Sequence, residues 1–310
     1  MILTSDGGQM ENREKKRKEV FSKLNEDFSL PSPSKTVMEV IRLCQSETSS
    51  LNEIAEHIQT DPSLSAEIIK YANSAFLSTG IQVVSVHKAT IKLGMKTVVN
   101  LALGFSLLSN NKGGTCEHFS YPLFWRTSLA EALAARELAR RDKEFDPDEL
   151  FVCALLAHMG NLSFATLFPE AYGRMLENQP ANSPPKDLER EEFGIDSGEL
   201  TVELFLNWGL PARYALAAGF HEDLGYVELG TGTTRRAAVL LFLAHTIARM
   251  CQSNKAQPLL LNTVLDTAKE YEVDIGEFSE TFAAIVESWH EHGRLFEITT
   301  NECYSYMMDS

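Results

Sequence analysis

The stretch "DPSLSAEIIKYANSAF", residues 61–76, decides the fold because it both begins and ends a helix within sixteen positions. Asp61 can accept hydrogen bonds from the free amides of a helix N-terminus, and Pro62 suits the first helical position, where no amide donor is needed. Asn73 and Ser74, after the apolar run, suit a turn. The stretch therefore predicts a capped helix followed by a turn.

The same signals recur along the chain. "DPDEL" (residues 146–150) repeats the Asp-Pro start, and "SLNE" (50–53) and "DSGEL" (196–200) carry the reciprocal pattern of a capping box. Apolar residues with helical spacing follow these starts. Sustained alternation of apolar and polar residues, the signal of β-strands, is nearly absent. The sequence therefore predicts an all-α fold.

Composition limits the classes of function. The 310 residues are 44% hydrophobic, which suffices for one large core or two modest ones. A formal net charge of −15 argues against nucleic acid and anionic membranes as partners. The basic segment "ENREKKRKEV" (residues 11–20) interleaves glutamates, so we interpret it as a solvated helix face. Five cysteines without a CxxC pair, and apolar runs too short to span a bilayer, predict a cytoplasmic protein.

Two segments rich in helix-breaking residues divide the chain. The first, "ENQPANSPPKD" at residues 177–187, contains three prolines, and the second, "DLGYVELGTGTT", lies at residues 223–234. Helix is predicted to resume at about residues 234–251 and again at 277–296. The segment "AAVLLFLAHTIARM" (237–250) is apolar enough to support a homodimer if its own chain leaves it uncovered.

Six segments together resemble an HDOD domain over about residues 21–223. In chain order they are "LPSPSKTVMEVIRL", "DPSLSAEIIKYANSAF", "ATIKLGMKTVVNLALGFSLL", "LFWRTSLAEALAARELA", "ALLAHMGNL" and "LFLNWGLPARYALAAGFHED". The resemblance implies a multi-helix HDOD lobe (21–115) packed on a degenerate HD-like helical bundle (116–223). Residues 1–20 would be a charged helical extension, and the helices in 224–310 would complete the bundle.

The resemblance also implies a function. HDOD domains are bacterial signalling modules, related to the HD superfamily of metal-dependent phosphohydrolases but usually without that activity. They commonly accompany components of two-component or cyclic-nucleotide pathways, which would be the partners here. We therefore expect a non-catalytic scaffold for protein interaction or ligand sensing.

The positions that bind metal in the HD superfamily carry other residues here. The first histidine of that pattern falls on Thr127, the His-Asp pair on Ala157 and His158, and the late aspartate on His245. A further histidine of the related cyclic-dinucleotide phosphodiesterases falls near Ser197, and their "GYP" signature is missing. Because both carboxylates are replaced, the resemblance implies that the phosphohydrolase site is degenerate and the chain is not an enzyme.

Two interpretations of the histidines stay open. His158, His221 and His245 could form a rebuilt site for Zn, Fe or Mn, in a metal-binding phosphohydrolase or sensor. Alternatively, His158 and His245 are core residues that donate to backbone carbonyls, and His221 lies on the surface. Ligating imidazoles normally need a carboxylate or carbonyl partner, and the sequence offers one only for His221, in Glu222 or Asp223. We therefore expect core histidines and no cofactor.

Overall fold

The structure is a computed structural model, and it describes residues 5–26, 33–45, 50–74, 82–180, 185–226 and 229–306. These residues form α-helices and no β-strand, so the predicted all-α fold is confirmed. The helices are α1 (Ser5–Glu26), α2 (Lys35–Gln45), α3 (Leu51–Gln59), α4 (Pro62–Ala72), α5 (Val86–Leu93), α6 (Met95–Asn110), α7 (Tyr121–Arg141), α8 (Pro147–Leu155), α9 (Met159–Leu167), α10 (Pro169–Glu177), α11 (Pro185–Phe193), α12 (Ser197–Asn207), α13 (Ala212–Phe220), α14 (Thr233–Cys251), α15 (Pro258–Glu270) and α16 (Phe278–Phe296).

The predicted helix starts are present. The Asp61 side chain accepts a hydrogen bond from the Leu64 amide at 3.0 Å, with Pro62 as the first residue of α4. Capping boxes begin α3 and α12, where each N-cap side chain and the third-position glutamate bond reciprocally. The predicted turn is fixed by Asn73, whose side chain donates to the Val83 carbonyl and accepts from the Val83 amide. Positions 75 and 76 of the opening stretch lie outside the described residues.

Helices α2 to α6 pack together as the N-terminal lobe, and α6 connects this lobe to α8. A buried polar contact joins the two parts of the protein. The Tyr71 hydroxyl of α4 donates to Asp148 of α8 at 3.1 Å, and the Arg136 guanidinium of α7 lies 3.1 Å from the same carboxylate. This contact holds α4 against the helices that carry the candidate site.

Helix α7 is the centre of the second half of the molecule, where it packs against α8, α14 and α16. α14 is buried along most of its length by its own chain, including the apolar segment 237–250. The apolar face that we considered for a homodimer is therefore covered from within. The homodimer itself stays a prediction, without that surface to support it.

Helix α1 ends six residues after the predicted boundary at residue 20, because it continues to Glu26. It packs on α11. Arg13 donates to the Gly194 carbonyl at 3.1 Å, and Lys16 donates to the Glu191 carbonyl at 2.7 Å. Part of its basic face is thus used in contacts within the chain.

The first predicted break, residues 177–187, is shorter than expected. α10 ends at Glu177, and α11 begins at Pro185, since proline is tolerated in the first turn of a helix. Residues 181–184 lie outside the described part of the chain. α11 therefore starts inside the segment that we interpreted as a loop, and this start brings Lys186 to the candidate site.

One helical stretch, Pro147–Leu167, is long and apolar enough to cross a membrane by length and composition. The most apolar 18 residues of this stretch are 83% buried inside the protein, as in the core helix of a soluble protein. The pair Val86–Leu93 and Met95–Asn110 passes the same test only as one span with a 120° bend.

Candidate metal centre

Four side chains from four helices converge at the middle of the bundle. Glu131 lies in α7, His158 is the N-cap of α9, His221 is the C-cap of α13, and His245 lies in α14. Each offers a potential ligand atom, and these atoms all lie within 4.8 Å of one another. The three imidazole rings form a nearly equilateral triangle, with centroid distances of 5.2, 5.2 and 5.4 Å.

Glycines allow the helices to approach closely enough for this convergence. A Cβ atom on Gly160 would lie 1.9 Å from the Ser197 carbonyl oxygen. A Cβ atom on Gly219 would lie 2.5 Å from the carbonyl oxygen of Gly198. Since α9, α12 and α13 therefore meet at backbone contact, a side chain at these glycines would push the helices apart. Gly160 follows His158 by two positions, and Gly219 precedes His221 by two, so the contacts set the histidine positions.

Glu131 lies at the centre of the cluster and is fully buried. One of its carboxylate oxygens, Oε2, is 2.9 Å from His158 Nε2 and 3.1 Å from His245 Nδ1. Its other oxygen, Oε1, is 3.3 Å from His221 Nε2. The carboxylate therefore contacts all three imidazoles.

The protonation of His221 is fixed by its second nitrogen. Nδ1 is 2.7 Å from the Ala218 carbonyl oxygen, which can only accept, so Nδ1 carries the proton. Burial lowers the pKa of His221 despite the neighbouring Glu131 carboxylate, which favours the neutral ring. Nε2 then presents a lone pair to Glu131 Oε1, and neither atom has a hydrogen-bond partner among the described residues. Two acceptors facing each other at 3.3 Å in a buried site repel each other unless a cation lies between them.

A second carboxylate, Glu222, lies outside the triangle. Its Oε1 is 4.0 Å from His158 Nδ1 and 3.9 Å from His245 Nε2, the ring nitrogens that point away from Glu131. Its Oε2 is 2.7 Å from Lys186 Nζ, at the start of α11. A carboxylate hydrogen-bonded to the outer nitrogen of a metal-ligating histidine orients the ring and raises its basicity, and Glu222 lies just beyond hydrogen-bond distance of both rings.

The electrostatics of the cluster favour an ionised Glu131. Burial alone would raise its pKa, but the charge of His158 and hydrogen bonding within the cluster hold that pKa well below its usual value. Burial likewise opposes the charged form of His158, yet the Glu131 carboxylate raises the His158 pKa. The pKa of Glu222 is lowered against the effect of burial, chiefly by His158 and Lys186. The buried Glu131 carboxylate is thus held in its ionised form, and its charge attracts a proton or a metal cation.

These residues fit a divalent transition metal. Zn takes imidazole and carboxylate ligands at about 2.0–2.2 Å, so neighbouring donor atoms of a tetrahedral site lie about 3.3–3.5 Å apart. The distances of 2.9, 3.1 and 3.3 Å from Glu131 to the imidazole nitrogens approach that spacing. The unpartnered His221 Nε2 and Glu131 Oε1 are the pair of lone-pair donors that such an ion would satisfy.

The structure brings together all three candidate histidines, and it places the other positions of the resemblance beside them. Thr127, Ala157 and Ser197 line a cleft of about 460 Å³ that also exposes the edges of His158 and His245. None of the three is in the cluster of potential ligands.

Two details of the core-histidine interpretation were wrong. His221 is buried, not on the surface, because α13 ends inside the bundle. His158 and His245 contact Glu131, whereas His221 is the residue bonded to a backbone carbonyl. The sequence reasoning missed Glu131, which lies four residues, or one helical turn, after Thr127 on the same helix face.

Comparison with known proteins gives a consistent result. The HDOD domain family profile matches residues 30–224 of this chain. The chain is similar to the MmoQ response regulator of Methylococcus capsulatus str. Bath, at 32% identity over 83% of this chain and 98% of that one, with a TM-score of 0.51. An HDOD domain protein from Geobacter sulfurreducens shares the fold at 18% identity, covering 91% of this chain and 98% of that one, with a TM-score of 0.67.

A more distant relative is an uncharacterised protein of Treponema pallidum (strain Nichols), which is 24% identical over 197 residues. The match covers 62% of this chain and 37% of that protein, so it accounts for little more than a third of the relative's length. The family match over most of the chain, together with the order of the helices, shows that this protein belongs to the HDOD domain family.

Proposed function

We propose that this chain is a signal-transduction module that binds one divalent transition-metal ion, with Zn favoured, through Glu131, His158, His221 and His245. The observation that carries the proposal is the 3.3 Å contact between His221 Nε2 and Glu131 Oε1, two buried atoms without a hydrogen-bond partner among the described residues. A bound ion would neutralise the buried carboxylate and satisfy the ring nitrogens. The expectation of no cofactor depended on missing partners for His158 and His245, and Glu131 and Glu222 are such partners.

The same residues argue against hydrolysis. A catalytic Zn site keeps three protein ligands and an open position for the water that it activates, whereas four protein ligands close a structural site. Here Glu131 fills the fourth position, and His158 and His245 stand where the resemblance places aspartates. We therefore propose a scaffold or sensor that binds metal without cleaving phosphoesters.

A role in signalling is supported by the family and by the 32% identity to a protein described as a response regulator. We propose two-component or cyclic-nucleotide pathway proteins as its partners. The net charge of −15 weighs against nucleic acid. Cys116, Cys153, Cys251 and Cys303 are free thiols, which suits the cytoplasm.

A Zn titration of the metal-stripped protein tests the metal proposal. We expect one ion per chain and a large loss of affinity in Glu131→Gln, which keeps the shape of the side chain but removes its charge. Glu189→Gln is the matched control, because Glu189 is also fully buried but its carboxylate accepts from the Ser197 amide and the Tyr172 hydroxyl. Equal Zn affinity in the two variants would contradict the proposed ligand set.

A phosphodiesterase assay tests the second half of the proposal. The Zn- and Mn-loaded protein should not hydrolyse an activated phosphodiester such as bis(p-nitrophenyl) phosphate above the rate of the Glu131→Gln variant. Turnover that disappears in Glu131→Gln would show a hydrolytic metal and overturn the non-catalytic assignment. It would leave the metal site itself in place.

A further inference from the structure

We propose that Cys251 and Cys303 are a redox modification site, at which a peroxide forms a reversible disulfide that fixes the C-terminal tail, residues 299–306, to the end of α14. The inference does not depend on the metal, since it rests on a different part of the chain. The thiols are 52 positions apart in sequence and lie together because the tail returns along α16 to the end of α14.

Three hydrogen bonds hold the tail at this place. Cys303 Sγ donates to the Cys251 carbonyl oxygen at 3.1 Å, and the Asn301 side-chain amide donates to the same oxygen at 3.0 Å. The Tyr304 amide donates to the Ser253 carbonyl at 3.0 Å. The Cys303 sulfur is thus held against the backbone of Cys251, and a disulfide would join two residues that already lie side by side.

The two thiols differ in the way that a peroxide-sensitive pair requires. Cys303 is partly exposed, and its contact with Cys251 lowers its pKa, which favours the reactive thiolate. Cys251 is fully buried, and its contact with Cys303 together with burial raises its pKa. Burial also raises the pKa of Cys116 and Cys153. Among these four cysteines, Cys303 is therefore the one that a peroxide would oxidise first.

The chemistry proceeds in two balanced steps. The Cys303 thiolate attacks one peroxide oxygen, the O–O bond breaks, and the products are a sulfenic acid on Cys303 and hydroxide. The Cys251 thiol then attacks the Cys303 sulfur, the S–O bond breaks, and one water leaves as the S–S bond forms. The two thiols are oxidised by two electrons, and the peroxide is reduced by two. Thiol reductants of the cytoplasm return the pair to its starting state.

The disulfide would secure a tail that covers apolar side chains. The ring of Tyr306 packs against Phe278 and Phe282 of α16 at centroid distances of 6.0 and 4.9 Å. Its hydroxyl accepts a hydrogen bond from the Gln257 amide at 2.9 Å. Tyr306 follows Cys303 by three positions. A disulfide that holds Cys303 beside α14 therefore also holds the Tyr306 ring over Phe278 and Phe282 of α16. Oxidation should thus make release of the tail rarer.

Peptide mapping tests the proposal on the whole 310-residue chain. After hydrogen peroxide and blocking of free thiols, trypsin should release residues 250–255 linked to residues 295–310, since each peptide contains one cysteine. We expect this linked pair as the main cysteine product and its loss on treatment with dithiothreitol. In Cys251→Ser, Cys303 should instead accumulate as sulfenic acid that dimedone traps. Cys153→Ser is the control that should leave the linked pair unchanged.

Hydrogen exchange gives a second readout. The Tyr304 amide, which bonds to Ser253, should exchange at least several-fold more slowly in the oxidised protein, and this change should vanish in Cys303→Ser. Absence of the linked peptide when other cysteines or methionines are already oxidised would overturn the proposal. So would a linked pair that leaves the exchange of the tail unchanged, because the tail would then not be what the disulfide fixes.

Discussion

His221 and His292 are two buried histidines with the same local chemistry and different surroundings. In each, Nδ1 bonds to a backbone carbonyl, of Ala218 at 2.7 Å and of Ser288 at 2.8 Å. Burial lowers the pKa of both, and Nε2 of each has no hydrogen-bond partner among the described residues. The two histidines differ in the groups that surround Nε2.

His292 lies among aromatic rings, with the Tyr71 centroid at 5.8 Å and the Phe296 centroid at 6.2 Å. His221 instead faces the Glu131 carboxylate, and two further imidazoles lie within 5.4 Å of its ring. A fixed tautomer with a free nitrogen is therefore not sufficient to identify a ligand. The convergence of several donors on one point is what distinguishes the candidate metal centre from a packed core histidine.

The largest effect should come from two glycine substitutions, one beside His158 of the candidate metal centre and one beside His292. Gly160→Ala would place a Cβ atom 1.9 Å from the Ser197 carbonyl oxygen, and Gly293→Ala would place one 2.8 Å from the Ile298 carbonyl oxygen. We expect each to lower the free energy of unfolding by about 1–3 kcal/mol or more, with Gly160→Ala the worse. Urea denaturation measures this loss.

The two glycine variants should also differ in their affinity for Zn. Gly160→Ala should bind Zn more weakly, since it moves α9 and His158, whereas folded Gly293→Ala should bind as the wild type does. Wild-type affinity in both variants would show that the contact of α9 with α12 does not position the cluster.

The next effect concerns the histidines themselves. His221→Ala should lose Zn affinity by more than about 100-fold, or about 2.7 kcal/mol, because a ligand is removed, while His292→Ala should keep it. Wild type with Zn at about 100 times the Kd should gain about 2.7 kcal/mol in unfolding free energy. His292→Ala should gain the same amount and His221→Ala nearly none. Equal gains in both variants would remove the distinction between the two sites.

A smaller effect is expected from the outer carboxylate. Glu222→Gln should weaken Zn binding by about 10- to 100-fold, the usual consequence of losing a carboxylate that orients ligating histidines. The stoichiometry should stay at one ion per chain, because all four ligands are retained. Competition against a chromophoric chelator measures the affinity, and Glu287→Gln on α16 is a distant control. A complete loss of stoichiometry would instead make Glu222 a ligand.

The smallest effect is a difference in pH dependence in the metal-stripped protein. The pKa of His158 is raised in the fold, so its stabilising contribution is complete below the unfolded pKa of about 6.5 and is lost as the pH rises through the folded value. The pKa of His292 is lowered, so its contribution is present above about 6.5 and is lost as the pH falls through the folded value.

Urea denaturation between about pH 5.5 and 8.5 should therefore give opposite trends, in a window set around the unfolded histidine pKa. The stability deficit of His158→Gln should shrink as the pH rises, and the deficit of His292→Gln should grow. Parallel trends in the two variants would contradict the assigned protonation of the cluster.

Much of the fold could be predicted from the sequence because its signals are local. Asp61 with Pro62, and the reciprocal pair of Ser50 and Glu53, act within one helical turn, so the pattern and the structure coincide. The start of α11 at Pro185 could not be predicted in the same way. A proline-rich run is compatible with a loop or with the first turn of a helix, and packing against α1 and α12 stabilises the helix.

The candidate site was predicted in part. His158 and His245 were found because they occupy positions where the resemblance places metal ligands, and His221 because it was expected on a neighbouring helix. Glu131 was missed, although a carboxylate inside the apolar run "LAEALAA" (residues 129–135) signals a buried charge with a partner. Its partners come from α9, α13 and α14, and only the packing of the bundle shows that they meet at one point.

The most direct test of the metal centre is anomalous diffraction at the Zn edge from crystals of the Zn-loaded, tag-free protein. We predict one strong peak within bonding distance of Glu131, His158, His221 and His245, and loss of that peak in His221→Ala but not in His292→Ala. Loaded crystals without a peak at the cluster, or with the peak unchanged in His221→Ala, would contradict this prediction.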